Sequence, residues 1–395
     1  MPARDDTGFE GRLYRSTLTD WIRCLPPEIA LQILSYLSFE DLLSFGATSR
    51  LNNEYHIISL KHLRLGVFEK RVHSLISLLQ AGWANPDHLS GAWVEKDSER
   101  HYTISLVHQQ GKSSKLQTQC NHSSKTTDPK HRSPAPRNKP LSLEQMVRLQ
   151  NQIFSRALRR YGTSLRSLEF MAYDLNQDGA DALGTNCQHA LHHLALRFEH
   201  QHIRDGVVRP SAWLYPAPGN EAWNSLIGIG RIKNTGLCKL ETLILERAGI
   251  TPWQLMMLVK RNPKLTTLKL RTCRGARPEF LYWLGGIEND LDEGTQLDGS
   301  APGANLEVLA LEHCHKLLET PMEEYENVPD AMCDFGFEWV RGLTKLRSLS
   351  FSESANIPSE LVDRANKTIW KIPEFILPYC LYDANTAIAV DPRWK

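Results

Sequence analysis

Leu240-Glu241-Thr242-Leu243-Ile244-Leu245 and, 25 residues further on, Leu265-Thr266-Thr267-Leu268-Lys269-Leu270 share the pattern L-x-x-L-x-L. With Phe allowed in the last place, the pattern recurs at Leu165/Leu168/Phe170, Leu191/Leu194/Leu196, Leu306/Leu309/Leu311 and Leu346/Leu349/Phe351. Start-to-start spacings are 26, 49, 25, 41 and 40 residues. Self-similarity at a period of about 20–29 residues marks a stacked strand-helix repeat. The 41 and 40 fit one period plus an insertion, and the 49 fits either that or two periods with a strand too degenerate to read. Between the strands, Thr251 as N-cap and Pro252 as first helical residue open a segment carrying Trp253, Leu255, Met256, Leu258 and Val259, which ends at Asn262-Pro263. That spells a crossover helix, and Pro278 opens another through Leu284.

These hexads resemble the leucine-rich repeat, with Cys273 and Cys314 each eight residues after their first leucine, where that repeat favours Asn or Cys. Ala248 and Ser354 are small at the same place, whereas Tyr173 and Glu199 depart from it. The resemblance implies an irregular α/β solenoid, a horseshoe over 141–395 with strands inside and helices outside. Side chains alternate along a strand, so the residues between the leucines face the concave wall. Of these, Glu169, Arg197, Glu246, Lys269, Arg271 and Glu312 are the expected substrate-facing residues. Met171, His193, Thr242, Ile244, Thr267, Val308, Ser348 and Ser350 share the face. Insertions at 276–305 and 315–342 each carry a local charge of −5 and would steer a basic partner to one edge of the solenoid, or merely keep it soluble. A helix is expected from Leu143 to Tyr161, with a Ser142/Gln145 capping box in front and Gly162 behind.

Near the other end, Leu25-Pro26-Pro27-Glu28-Ile29, Ile33-Leu34-Ser35-Tyr36-Leu37, Asp41-Leu42-Leu43 and Ala47-Thr48-Ser49-Arg50 follow one another. Pro26 and Pro27 open a first helix, Ser38 with Asp41 caps a second, and Ser49 caps a third. These segments resemble the F-box, here over 21–60, although the last helix lacks the commoner V-C-R-x-W form. The whole chain then resembles the F-box proteins with C-terminal repeats found in filamentous fungi, an α+β multidomain class. The resemblance implies a non-catalytic substrate-recognition subunit of an SCF-type ubiquitin ligase. It would bind the SCF adaptor subunit, and through it a cullin-RING core, with Leu25, Pro26, Ile29, Ile33, Leu34, Leu37, Leu42 and Leu43, some of which also build the small internal core. An F-box scaffold acting outside a ligase fits the same residues.

The remaining stretches are an N-terminal tail at 1–20, a helical connector at 61–108, whose Val72–Gly82 run resembles one ankyrin helix, and a linker at 109–140. The linker holds seven Lys/Arg against one Asp, with no apolar period, and reads as a disordered basic spacer. Over 395 residues, 46 basic and 45 acidic side chains leave a net charge of +1, which offers no bulk field for nucleic acid. No apolar run of membrane-spanning or signal length is present, and eight scattered cysteines without C-x-x-C suit reduced thiols, so cytoplasmic and/or nuclear residence is expected.

Catalytic signatures are missing. Gly111-Lys112-Ser113 lacks the earlier glycine of a phosphate loop, and Gly228-Ile229-Gly230 lacks the third glycine of a dinucleotide fingerprint. No G-x-S-x-G or H-E-x-x-H stands anywhere. His189, His192, His193, His200 and His202 form the densest imidazole group, but adjacent strand residues point to opposite faces, so no metal or other cofactor is expected. A hydrolase or transferase using these histidines with Cys187 or Cys238 is the rival from another class.

Overall fold

The computed structural model describes residues 24–37, 39–69, 102–108, 142–198, 217–287, 300–314, 316–318, 334, 336–354 and 357–378. The chain divides into two units, Met1–Ser59 and Leu60–Lys395. Among the described residues no helix is long and apolar enough to cross a membrane.

The first unit is three short helices, α1 (Pro27–Leu34), α2 (Phe39–Gly46) and α3 (Arg50–Ser59), with α3 packed on both others. Pro27 stands in the first turn of α1, where its missing N–H leaves nothing unpaired. Ser49 caps α3 by accepting the Asn52 N–H at 3.1 Å, and the expected capping box at Ser38 lies outside the described residues. Ala30, Leu34, Leu42 and His56 are buried. Gly46 makes this possible, since a Cβ there would sit 2.7 Å from His56 Nδ1.

The second unit is one parallel sheet backed by helices. Its elements are β1 (His62–Glu69), β2 (Tyr102–His108), α4 (Leu143–Tyr161), β3 (Ser167–Ala172), α5 (Gln177–Asn186), β4 (His193–Phe198) and α6 (Trp223–Leu226). Then follow β5 (Thr242–Glu246), α7 (Pro252–Arg261), β6 (Thr267–Arg271), α8 (Pro278–Leu284) and β7 (Val308–Glu312). A 3-10 turn (Glu338–Gly342), β8 (Ser348–Ser350), α9 (Ser359–Ala365), a π-helical turn (Asn366–Trp370) and β9 (Glu374–Ile376) complete it. The sheet order is β2-β1-β3-β4-β5-β6-β7-β8-β9, every pair parallel.

Register follows the repeat. Leu168, Leu194, Leu243, Leu268, Leu309 and Leu349 lie side by side across six strands and are all buried. A second buried row runs through Phe170, Leu196, Leu245, Leu270 and Leu311. Each helix packs on the next, α4 on α5, α5 on α6, α6 on α7 and α7 on α8, so the core lies between sheet and helix layer. One residue past the ends of β5, β6 and β7, Arg247, Thr272 and His313 take φ of 54°, 50° and 51°, and Glu353 takes 60° at the matching place after β8. This left-handed step turns the next residue inward, and only a small side chain fits there: Ala248, Cys273, Cys314 and Ser354 are all buried. The Cys273 thiol and the Ser354 hydroxyl donate back to the preceding strand, to Leu245 O at 3.1 Å and Leu311 O at 3.0 Å.

Several expectations are met residue by residue. α4 spans Leu143–Tyr161 behind a complete Ser142/Gln145 capping box, and Thr251/Gln254 form another before α7. Gly162 follows α4 as its cap, and it is glycine for packing and not for a left-handed turn. Its φ is −55°, but a Cβ would lie 2.7 Å from the Asn186 side chain.

Two points differ from the sequence reading. The described parts of 61–108 are strands, not a helical connector, and they belong to the sheet that was expected to begin at 141. Leu60-Lys61-His62-Leu63-Arg64-Leu65 is itself L-x-x-L-x-L, with Leu63 and Leu65 in register with Leu168 and Phe170. At the far end Ile372, Phe375 and Leu377 carry a degenerate version, Phe375 pairing with Leu349. β4 pairs directly with β5, so the 49-residue spacing holds one period and an insertion rather than a further strand between them. The tail at 1–20 and the linker at 109–140 lie outside the described residues.

Asn262, 1% exposed, ties α7 to β5: its side-chain oxygen accepts the Leu240 N–H at 2.9 Å and its amide donates to Leu258 O at 2.8 Å and Leu237 O at 3.2 Å. Asn262→Ala strands these buried backbone groups, so a loss of about 2–4 kcal/mol is expected from urea unfolding midpoints.

Candidate functional site

Two surfaces carry the expected site residues, one in each unit. In the first unit, α1 gives Ile29 and Ile33 a shared outward face at i, i+4 spacing, 44% and 40% exposed. Tyr36, which follows the helix, is 59% exposed, and Leu43 on α2 is 36% exposed. Pro26 is exposed, and Leu25 and Leu37 are half-buried. Leu34 and Leu42 are corrected from the expected adaptor set, since they are 2% and 0% exposed and hold the three helices together. Isolated exposed apolar side chains are ordinary, whereas several on so small a unit form a patch suited to protein contact. Tyr36 was missed by the sequence reading, although it stands three residues after Ile33 in the same apolar stripe.

In the second unit the residues between the repeat leucines line the other face of the sheet. Glu169 lies between strands with Arg64, whose Nε donates to it at 3.0 Å. Arg197 Nη1 donates to Glu246 at 2.9 Å across β4 and β5. Arg271 stands next in register, 3.8 Å from Glu246, 3.7 Å from Glu312 and 2.7 Å from Glu353. Five of the six residues expected to meet substrate are therefore joined in ion pairs on their own sheet, and Lys269 is half-buried among them. Ser348, Ser350 and Glu312 are corrected from the open face. They are 3%, 1% and 8% exposed, so they offer no open surface. Arg64 and Glu353 were not anticipated. Arg64 was hidden by the unread first hexad, and Glu353 by its place in the turn.

Burial raises the Glu312 carboxyl above its ordinary range, the nearby Glu353 and Glu246 raise it further, and Arg271 opposes them. Cys273 and Cys314 are likewise raised by burial, Cys314 to about 12, so both stay as thiols. Cys187 is pushed up to about 12 by burial. Cys238 is half-exposed, its Sγ 3.3 Å from Gln188 O and 3.6 Å from His189 Nδ1. His192 and His193 are half-buried at the start of β4, and His200 and His202 lie outside the described residues. The described residues hold no group of three or more His, Cys, Asp or Glu placed to hold a metal ion. Most acids of the two insertions fall outside the described residues. Asp334, which is described, is buried and paired with Arg341.

Against models of known families, residues 22–54 match the family described as F-box-like. Residues 22–54 are an F-box-like domain. The match spans α1, α2 and the first half of α3, and it contains every exposed apolar residue of α1 and α2 named above. F-box-like domains serve protein–protein interaction, typically with the adaptor subunit of SCF-type assemblies. No curated protein matches the chain.

The raised Glu312 predicts a pH effect of definite sign. Its folded-state pKa lies above the unfolded 4.5, so the folded state holds the proton more tightly and stability falls as pH rises through that window. Glu312→Gln, which cannot ionise, is expected to melt above wild type at pH 7.5, with the gain shrinking toward pH 4. Thermal unfolding by circular dichroism at the two pH values reads the difference.

Proposed function

We propose that this chain is the substrate-recognition subunit of an SCF-type E3 ubiquitin ligase. In this reading the F-box-like domain binds the adaptor subunit, and through it a cullin-RING core, while the sheet of the second unit, taken as leucine-rich repeats of an irregular horseshoe, holds a protein substrate. The observation that carries the reading is the stripe of Pro26, Ile29, Ile33, Tyr36 and Leu43, exposed on the same residues that match the family. Covering such a stripe removes several large apolar side chains from water, at about 25 cal/mol per Å². The chain supplies no covalent chemistry in this account. Ligation is done by other subunits, and holding the substrate near a charged ubiquitin carrier raises the effective concentration of its lysines. Residence in the cytoplasm or nucleus belongs to the same proposal.

The substrate face follows from the ion pairs. Arg197, Glu246 and Arg271 are 20–32% exposed, so a partner reaches them without burial of unpaired charge. Specificity on this wall comes from geometry and hydrogen bonding at its rim, and less from net charge.

The test is affinity capture of the tagged chain. Ile29→Asp with Ile33→Asp places charges on exposed positions, so the fold is kept and adaptor and cullin are lost from the capture. Leu42→Ala, at a buried position, instead destabilises the helical unit by about 2–5 kcal/mol. If the double aspartate variant is folded yet captures the adaptor as wild type does, the reading fails.

A further inference from the structure

On α4, Arg148, Arg156 and Arg159 form an exposed arginine face that makes no ion pair with the described residues. Its buried side is Met146, Gln150, Phe154 and Leu158, packed toward β3 and α5. Arg148, Arg156, Arg159 and Arg160 are exposed on the opposite side. At about 100° per residue, Arg148 and Arg159 fall within roughly 20° of each other, with Arg156 and Arg160 within roughly 120° of Arg148. The arc between them holds Gln145, Gln152 and the half-buried Leu149, and no acid. Among the described residues Arg148, Arg156 and Arg159 make no ion pair or side-chain hydrogen bond, whereas Arg160 lies over the Tyr161 ring at 5.4 Å. Two more cations stand just beyond the helix end. The backbone N–H of Arg166, an exposed residue, donates to Lys61 O at 2.8 Å. The Lys61 ammonium is pushed down first by burial and then by the nearby Arg166.

Helix-dipole compensation accounts for part of this face. Arg159 and Arg160 sit in the last turn, where cations are favoured. Arg148 and Arg156 lie outside it: Arg156 has like charges three and four residues on, at Arg159 and Arg160, an arrangement that costs stability, and Arg148 follows the exposed Glu144 by four residues.

We propose that this face of α4 is a docking surface for a carboxylate-rich protein segment, lying along the helix over about 18 Å from Arg148 to Arg160. Guanidinium forks match carboxylates in a bidentate way, and a run of acids can meet several at once. The neighbourhood argues for protein over other polyanions. No exposed aromatic side chain stands on the arc to stack a base. No apolar wedge borders it as a membrane-surface helix requires, Leu149 being half-buried. The chain's near-balanced charge supplies no wider field for nucleic acid. The inference stands apart from the adaptor reading, since α4 belongs to the unit Leu60–Lys395.

The probe is a fluorescein-labelled peptide, Asp-Glu-Asp-Glu-Glu-Asp-Glu-Asp, long enough when extended, about 26 Å, to cover the face. Anisotropy titration of the full chain is expected to show binding that weakens as salt is raised. R148Q/R156Q/R159Q is expected to lower the affinity at least about tenfold with an unchanged melting temperature. Parallel titrations use a duplex DNA oligonucleotide and phosphatidylserine vesicles. Absence of peptide binding, equal binding by the triple variant, or tighter arginine-dependent binding of DNA or vesicles would each overturn the proposal.

Discussion

Parallel strands of five residues cannot bury their leucines alone, and this constraint organises most of the chain. A strand such as Thr242–Glu246 offers two leucines to one face, and its neighbours must supply the rest of that layer. In-register pairing does so, by setting Leu243 between Leu194 and Leu268 and Leu245 between Leu196 and Leu270. A slip of one residue would turn the leucines outward and the Arg/Glu row inward, so register is fixed by the pattern itself. The left-handed steps at Arg247, Thr272, His313 and Glu353 follow from the same demand, because the chain must leave each strand toward the helix layer at one height.

What this leaves on the other face is a self-paired wall. Glu169 with Arg64, and Arg197, Glu246, Arg271, Glu312 and Glu353 in series, hold one another at 2.7 to 3.8 Å. A partner there gains little from charge alone. Arg148, Arg156 and Arg159, without ion pairs among the described residues, stand instead on the exposed side of α4, and exposed apolar side chains stand on the F-box-like domain.

Much of the fold was legible because its signals are local. A capping box at Ser142, an N-cap at Thr251, Pro252 and Pro278 at helix starts, and six hexads placed α4, α7, α8 and six strands. The strands at 62–69 and 102–108 were not read, for two reasons. Leu60-x-x-Leu63-x-Leu65 runs straight on from α3, which masks its period, and its next sequence repeat lies 105 residues away. β2 carries no hexad at all and is placed only by pairing with β1. The adaptor set was legible as a stripe but not as a division of labour. Ile33 and Leu34 are equally apolar neighbours in sequence, and only the packing of α3 shows that Leu34 is inside and Ile33 outside. Likewise the charged sheet face was read as open charge, since ion pairing between residues 49 or 82 apart in sequence leaves no local trace.

The account rests on the exposed side of α1 and α2 being the place where another subunit docks. Hydrogen–deuterium exchange of the full chain, with and without purified SCF adaptor subunit, tests this most directly. The account predicts slower exchange confined to about residues 26–46, with the sheet from β3 to β8 unchanged. No change at 26–46 under saturating adaptor, or protection falling on the sheet instead, would contradict it.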